Sequence, residues 1–281
     1  MIWRSTGSRA AVVPLIVCTL SPSPPRTLRV KACGQPGGNA VQTAVDNSVP
    51  PVEFVSRSRT RNVVRVNSSL AVRPILRGWL HLACFFISIP AGVLLIAAAD
   101  PGRPQVGAAV YAVGLAALFG VSGTYHRRRW SPRLRARLKR LDHGTIFVMI
   151  AGTYTPLCLV ALGGVVGTVM LVSVWAGAAV GVTLAAIGIA EKRFIGGACY
   201  LVLGWAAVIA TPALIHHLSA TQLALIAAGG LLYTIGIVVL GVKKPNPFPK
   251  VFGFHEVWHV FVVAAAACHF VAIHSLLVTT A

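Results

Sequence analysis

From residue 78 onward the chain falls into apolar blocks separated by short polar connections. The blocks cover residues 78–99, 106–125, 144–161, 165–189, 194–215, 223–242 and 257–278. Each is close to the roughly 20 residues a helix needs to cross a bilayer. Backbone polar groups in hydrocarbon must be satisfied within the segment, which makes each block a helix. The pattern predicts an all-α, multi-pass membrane protein, a seven-transmembrane helix bundle over residues 73–281. The third block is short and contains Pro156, which predicts a kink or an early end to that helix.

The first 77 residues carry eleven basic and two acidic residues, with Pro, Ser, Gly and Asn throughout and no sustained periodicity. Such a stretch cannot bury enough apolar surface to offset its ordering entropy. Residues 1–72 are therefore expected to form a disordered, basic tail. Residues 10–20 follow Arg4 and Arg9 and precede Ser-Pro-Ser-Pro-Pro, the outline of a signal-peptide core. Pro14 interrupts that run and no clean small-residue cleavage site follows, so an incidental apolar patch is the preferred reading. A translation start near Val72 is a third possibility.

Composition agrees with the block pattern. The chain is 56% hydrophobic and only 11% charged, against about 25% charged in a soluble domain. Basic residues outnumber acidic ones 25 to 6. No interleaving of basic and aromatic residues suggests a nucleic-acid surface, so membrane lipids are the expected surroundings. The six cysteines show no C-x-x-C spacing and four lie in apolar blocks, where a thiol behaves as a small hydrophobe. No disulfide framework is expected.

The connections set an orientation. Residues 127–140 hold eight basic residues and no acid; Lys192 and Arg193 follow block four, and Lys243, Lys244 and Lys250 follow block six. The alternate connections hold Asp100 with Arg103, no charge, and His216 with His217. Positive residues collect on the cytoplasmic side, which predicts a plasma-membrane protein with its N-terminus inside and its C-terminus outside.

On that topology His126 closes the second block, Asp142 precedes the third, and His255 and His259 sit at the inner end of the seventh. Ionisable groups at a membrane edge are costly and usually functional. His255 and His259 are i and i+4, on one helical face, the spacing by which a helix offers two imidazoles to one ion. Three histidines and a carboxylate suit zinc with one position left open. Ser122 lies one turn before His126, roughly 6 Å further into the membrane. Each has a plainer role: His126 favours a helix C-terminus, Asp142 caps the third helix, and Ser122 bonds its own backbone. The four at one depth favour the metal. Asp142 is also expected to cap in part. Glu256 points about 100° away from His255, towards a neighbouring helix or the headgroups. His81 is placed to reach the site or support it, whereas His143 reads as a structural contact. His269 and His274 lie some 15 Å or more from His259. His216 and His217 read as solvated.

Ser122-Gly-Thr-Tyr-His126, Arg140-Leu-Asp142-His-Gly-Thr-Ile146, Ala151-Gly-Thr-Tyr-Thr-Pro156 and His255-Glu-Val-Trp-His259 together resemble the haemolysin III family. That family belongs to the superfamily of progestin and adiponectin receptor-like proteins. The resemblance covers about residues 73–278. It implies a seven-helix bundle with a cytoplasm-side zinc held by three histidines, and an Asp that holds the zinc's water. One departure is evident. Family members commonly carry a Glu and an Asn ahead of the first-helix histidine, whereas here Pro74-Ile-Leu-Arg77-Gly-Trp-Leu-His81 has neither.

Three functions follow as expectations. A zinc-dependent hydrolase of a lipid amide or ester would use His126, His255 and His259 as ligands, Asp142 as base and Ser122 as an oxyanion donor. A cytolytic or pore-forming protein is suggested by the family name alone. A receptor or membrane-homeostasis regulator would hold a structural zinc, with Asp142 as fourth ligand. A metal-to-Asp142 distance near 2 Å marks the structural case, and one nearer 4 Å the catalytic case.

Overall fold

The computed structural model describes residues 27–29, 42–44 and 73–278. Near the N-terminus Thr27–Arg29 (β1) pairs antiparallel with Gln42–Ala44 (β2). The rest of the expected tail, including the apolar run at 10–20, lies outside the described residues. The remaining chain forms a separate unit over residues 72–281. Its helices are Trp79–Ala98 (α1), Arg103–Arg127 (α2), Pro132–Pro156 (α3), Gly164–Ala186 (α4), Arg193–Gly204 (α5), Ala207–Leu214 (α6), Ala220–Val242 (α7) and Phe254–Val278 (α8). They supply seven segments long and apolar enough to span a membrane, α5 and α6 together making the fifth.

Local chemistry accounts for most of the ends. Pro104 and Pro132 stand in the first turns of α2 and α3, where a missing N–H costs nothing. Ser219 and Gln222 form a reciprocal capping box at the start of α7. As expected of Pro156, the α-helical part of the third span ends there and runs on as a π-helical turn, Leu157–Leu162.

Two departures from the sequence pattern matter. The third helix begins at Pro132, not at residue 144. Hydropathy marks where the bilayer begins rather than where the helix does. Leu134, Leu138 and Leu141 recur at helical spacing within the arginine-rich connection, and long basic side chains keep their charge in water on such a helix. Asp142 therefore sits ten residues inside α3 and does not cap it; the N-cap position is Ser131.

The fifth span is also broken, at Trp205–Ala206. A break at membrane depth frees backbone groups that water cannot reach. The Tyr154 hydroxyl of α3 serves both sides of it, donating to the Gly204 carbonyl at 2.6 Å and accepting the Ala207 N–H at 2.6 Å.

One apolar core lies where α1, α2, α3 and α8 meet, with Leu95, Tyr111, Leu118, Met149, Trp258 and Ile273 buried. A second joins α3, α4 and α5 through Phe147, Tyr154, Val174 and Tyr200. These packed faces fix the helix ends that carry the polar residues. The four cysteines among the described residues, Cys84, Cys158, Cys199 and Cys268, are free.

Candidate metal centre

The C-terminal end of α2, the interior of α3 and the start of α8 bring four of the five singled-out residues into direct relation, and the fifth faces them. His255 Nε2 lies 3.2 Å from His126 Nε2. The ligand nitrogens of His126, His255 and His259 all fall within 4.8 Å of one another. Two imidazoles on one tetrahedral zinc, at 2.0–2.1 Å each, stand about 3.3 Å apart, so the three nitrogens fit a single ion after small side-chain adjustments. Asp142 is not part of that ligand set. Its Oδ2 lies 3.8 Å from His126 Nε2, and the Ser122 hydroxyl is turned to its carboxyl. Ser122 and His259 are buried, at 4% and 3% exposure.

His81 supports the site without joining the ligand set. Its ring stacks on that of His259, with centroids 3.8 Å apart and planes within 5°, and stands edge-on to Phe119. The stack fixes the plane of one ligand from the α1 side. His143 binds the Lys139 carbonyl through Nδ1 at 2.8 Å, consistent with the structural contact expected of it. His216 and His217 are exposed.

Two features that frame the site were not read from the sequence. Glu256 is 4% exposed and pairs with Arg77, just ahead of α1. Its other oxygen accepts the Gly253 N–H at 2.8 Å, the reach-back of a third-position Glu to the N-cap. Ile75 and Leu76 also donate to the carbonyls of Lys250 and Val251, at 3.0 and 3.1 Å. Thus the segment leading into α1 is fastened to the start of α8, one residue from His255. The second feature is Gly78, at φ 79°. A Cβ there would lie 2.7 Å from His126 Cβ, so glycine is needed both for the turn and for the approach.

The fastening gives a measurable expectation. Glu256→Ala leaves Arg77 without its carboxylate at a part-buried position, where Arg77 is 20% exposed and water can solvate it in part, so the loss should be smaller than the roughly 3–5 kcal/mol of a fully buried pair. The variant should melt at lower temperature and bind metal more weakly than the parent protein. An unchanged melting temperature would show that the pair does not hold α8 in place.

The five site residues open into a cavity of about 500 Å³ that runs from the metal centre between α3, α5, α7 and α8. Near the centre it meets Lys139 and Glu191, which pair at 2.7 Å; that ammonium holds the Glu191 carboxyl below its usual range. Further along, its walls are Ile146, Met149, Ile237, Leu240 and Val262, with Gly204 and Gly230 beside open space.

Residues 70–270 match the family described as Haemolysin-III related. Among curated relatives, Hemolysin-3 of Bacillus cereus is 33% identical over 205 residues, 69% of this chain and 87% of the relative. A Hemolysin-3 homolog of Bacillus subtilis (strain 168) is 34% identical over 66% of this chain and 84% of its own. The human Monocyte to macrophage differentiation factor is 28% identical over 67% and 79% of the two chains. With seven apolar helices, a three-histidine centre at one end of the bundle and a match over most of its length, the chain belongs to the haemolysin-III-related family of integral membrane proteins.

Proposed function

We propose that the protein is a zinc-dependent hydrolase acting on a lipid amide or ester. The observation that carries this reading is that Asp142 stands beside the three-histidine set but outside it. Three protein ligands with a carboxylate held back is the pattern of a catalytic zinc site, whereas a structural zinc fills all four positions from the protein. An ion held there would supply Lewis-acid polarisation and a nucleophile at neutral pH. Everything else falls to the chain. Asp142 orients a water and takes its proton as the oxygen adds to the lipid carbonyl carbon. Ser122 donates to the Asp142 carboxylate at first and lines the same cavity; once Asp142 carries the water's proton, that one O–H is released to donate to the oxyanion. When the carbon–nitrogen or carbon–oxygen bond breaks, Asp142 returns the proton to the leaving amine or alcohol, and a carboxylic acid remains. The apolar cavity takes the acyl chain.

A cytolytic role, suggested by the names of the bacterial relatives, calls for a polar, water-filled lumen. The cavity is polar at the metal centre and mainly apolar beyond it, which supports the hydrolase reading over a pore. The test is release of labelled fatty acid from lipid amides and esters in nanodiscs. Release should stop with a chelator and resume with added zinc; a fully zinc-loaded protein that cleaves none of them would defeat the proposal.

The orientation belongs to the same reading. All the strongly basic connections, including residues 127–140 and 243–250, lie at the metal-centre end of an alternating seven-span chain. The positive-inside rule then places the centre on the cytoplasmic side. A reporter fused after residue 281 should be outside and one inserted in residues 127–140 inside. Finding both in one compartment would overturn the arrangement.

A further inference from the structure

We propose that Tyr233 and His269 form a second, polar subsite in the cavity that receives a hydroxyl on the chain of a bound lipid. The proposal rests on reading the cavity as a lipid site and adds to it where along the chain the lipid carries a polar group.

Both residues line the cavity that His259 lines. On α8, His269 is ten residues beyond His259, which places it about 15 Å deeper at helical rise. A polar side chain at that depth is expensive unless it is satisfied, and an ionisable one in a membrane span usually serves a function. His269 Nε2 lies 3.2 Å from the Ile226 carbonyl. A carbonyl only accepts, so Nε2 carries the proton and Nδ1 presents a lone pair. That bond ties α8 to α7 and accounts for one nitrogen only. Among the described residues no hydrogen bond reaches Nδ1 or the Tyr233 hydroxyl. The two rings lie 5.7 Å apart.

The arrangement is built into the backbone. Residue 229 is glycine, and any Cβ there would collide with the His269 ring, so α7 gives up a side chain to seat the imidazole. The next residue, Gly230, also lines the cavity and faces open space. The subsite therefore offers one acceptor, Nδ1, and one group that donates and accepts, the phenol. A ligand hydroxyl, which also does both, fits that pair; a methylene chain leaves both unmet. In an extended chain about 1.2 Å is gained per bond, so 15 Å from the centre corresponds to roughly a dozen bonds. The ligand class is a long-chain acyl group hydroxylated near its middle.

The experiment is saturable binding of 12-hydroxyoctadecanoate, octadecanoate and 2-hydroxyoctadecanoate to the zinc-loaded, full-length protein. The 12-hydroxy acid should bind roughly two- to ten-fold more tightly than octadecanoate, the range of one net hydrogen bond. Tyr233→Phe and His269→Phe should each erase that preference and leave octadecanoate binding unchanged. Any preference for the 2-hydroxy acid should survive both. Because His269→Phe also removes the bond to Ile226, Tyr233→Phe is the decisive variant. Equal binding of the 12-hydroxy acid and octadecanoate, or a preference untouched by Tyr233→Phe, overturns the subsite while the lipid cavity stands. Saturable binding of none of the three overturns both.

Discussion

Alanine at both His255 and His259 is expected to abolish metal binding. The two imidazoles leave α8 one turn apart and meet His126 from α2, so the double change removes two of three ligands in a set whose nitrogens lie within 4.8 Å. One remaining histidine cannot hold zinc at micromolar concentrations against water, because tight sites use three or four protein donors. Elemental analysis of purified protein should find about one zinc per parent chain and none in the variant. Full occupancy in the variant would remove His255 and His259 from the site. Metal loss should also lower thermal stability, since binding energy is coupled to folding. The loss should be modest for a bundle whose helices the bilayer already enforces. The variant loses a further contact, the stack between His81 and His259. His81→Ala, which removes the stacking ring and leaves all three ligands, separates that contribution from the metal's.

The second large effect is expected from Asp142→Asn. Asp142 lies inside α3 rather than at its cap, so the change tests no helix end. The amide keeps the size of the carboxylate and can still accept from Ser122. It cannot take a proton. Lipid hydrolysis should fall about 10²- to 10⁴-fold, the usual worth of a general base, while zinc content and melting temperature stay near those of the parent. Weaker zinc binding with an earlier melt would instead mark Asp142 as a ligand. Unchanged metal content with unchanged turnover would dismiss its role as base.

The spans were legible because hydrocarbon admits only segments that satisfy their own backbone, and such segments announce themselves by composition alone. The histidines were legible for a related reason. Only three acids follow residue 103, so Asp142 stands out beside an apolar block, and His255 and His259 stand out at the edge of the last one. What the sequence hid depends on partners far along the chain. The break at Trp205 is tolerated because Tyr154, some 50 residues earlier, supplies both a donor and an acceptor. Spacing leaves Glu256 facing either a neighbouring helix or the headgroups, and its partner Arg77, 179 residues away, decides between them. Arg77 itself stands in the stretch where the chain departs from the resemblance, so the fastening of α1 to α8 could not be inferred from it. The start of α3 was hidden for another reason. Eight basic residues overwhelm the hydropathy signal from three leucines at helical spacing, although the helix passes straight through them.

The distance from the bound metal to the Asp142 carboxylate in crystals of the zinc-loaded protein bears most directly on the central claim. A catalytic centre predicts zinc on His126, His255 and His259 alone, with the nearest Asp142 oxygen about 4 Å away. Zinc about 2 Å from Asp142, with all four positions taken by the protein, would contradict it and make the site structural.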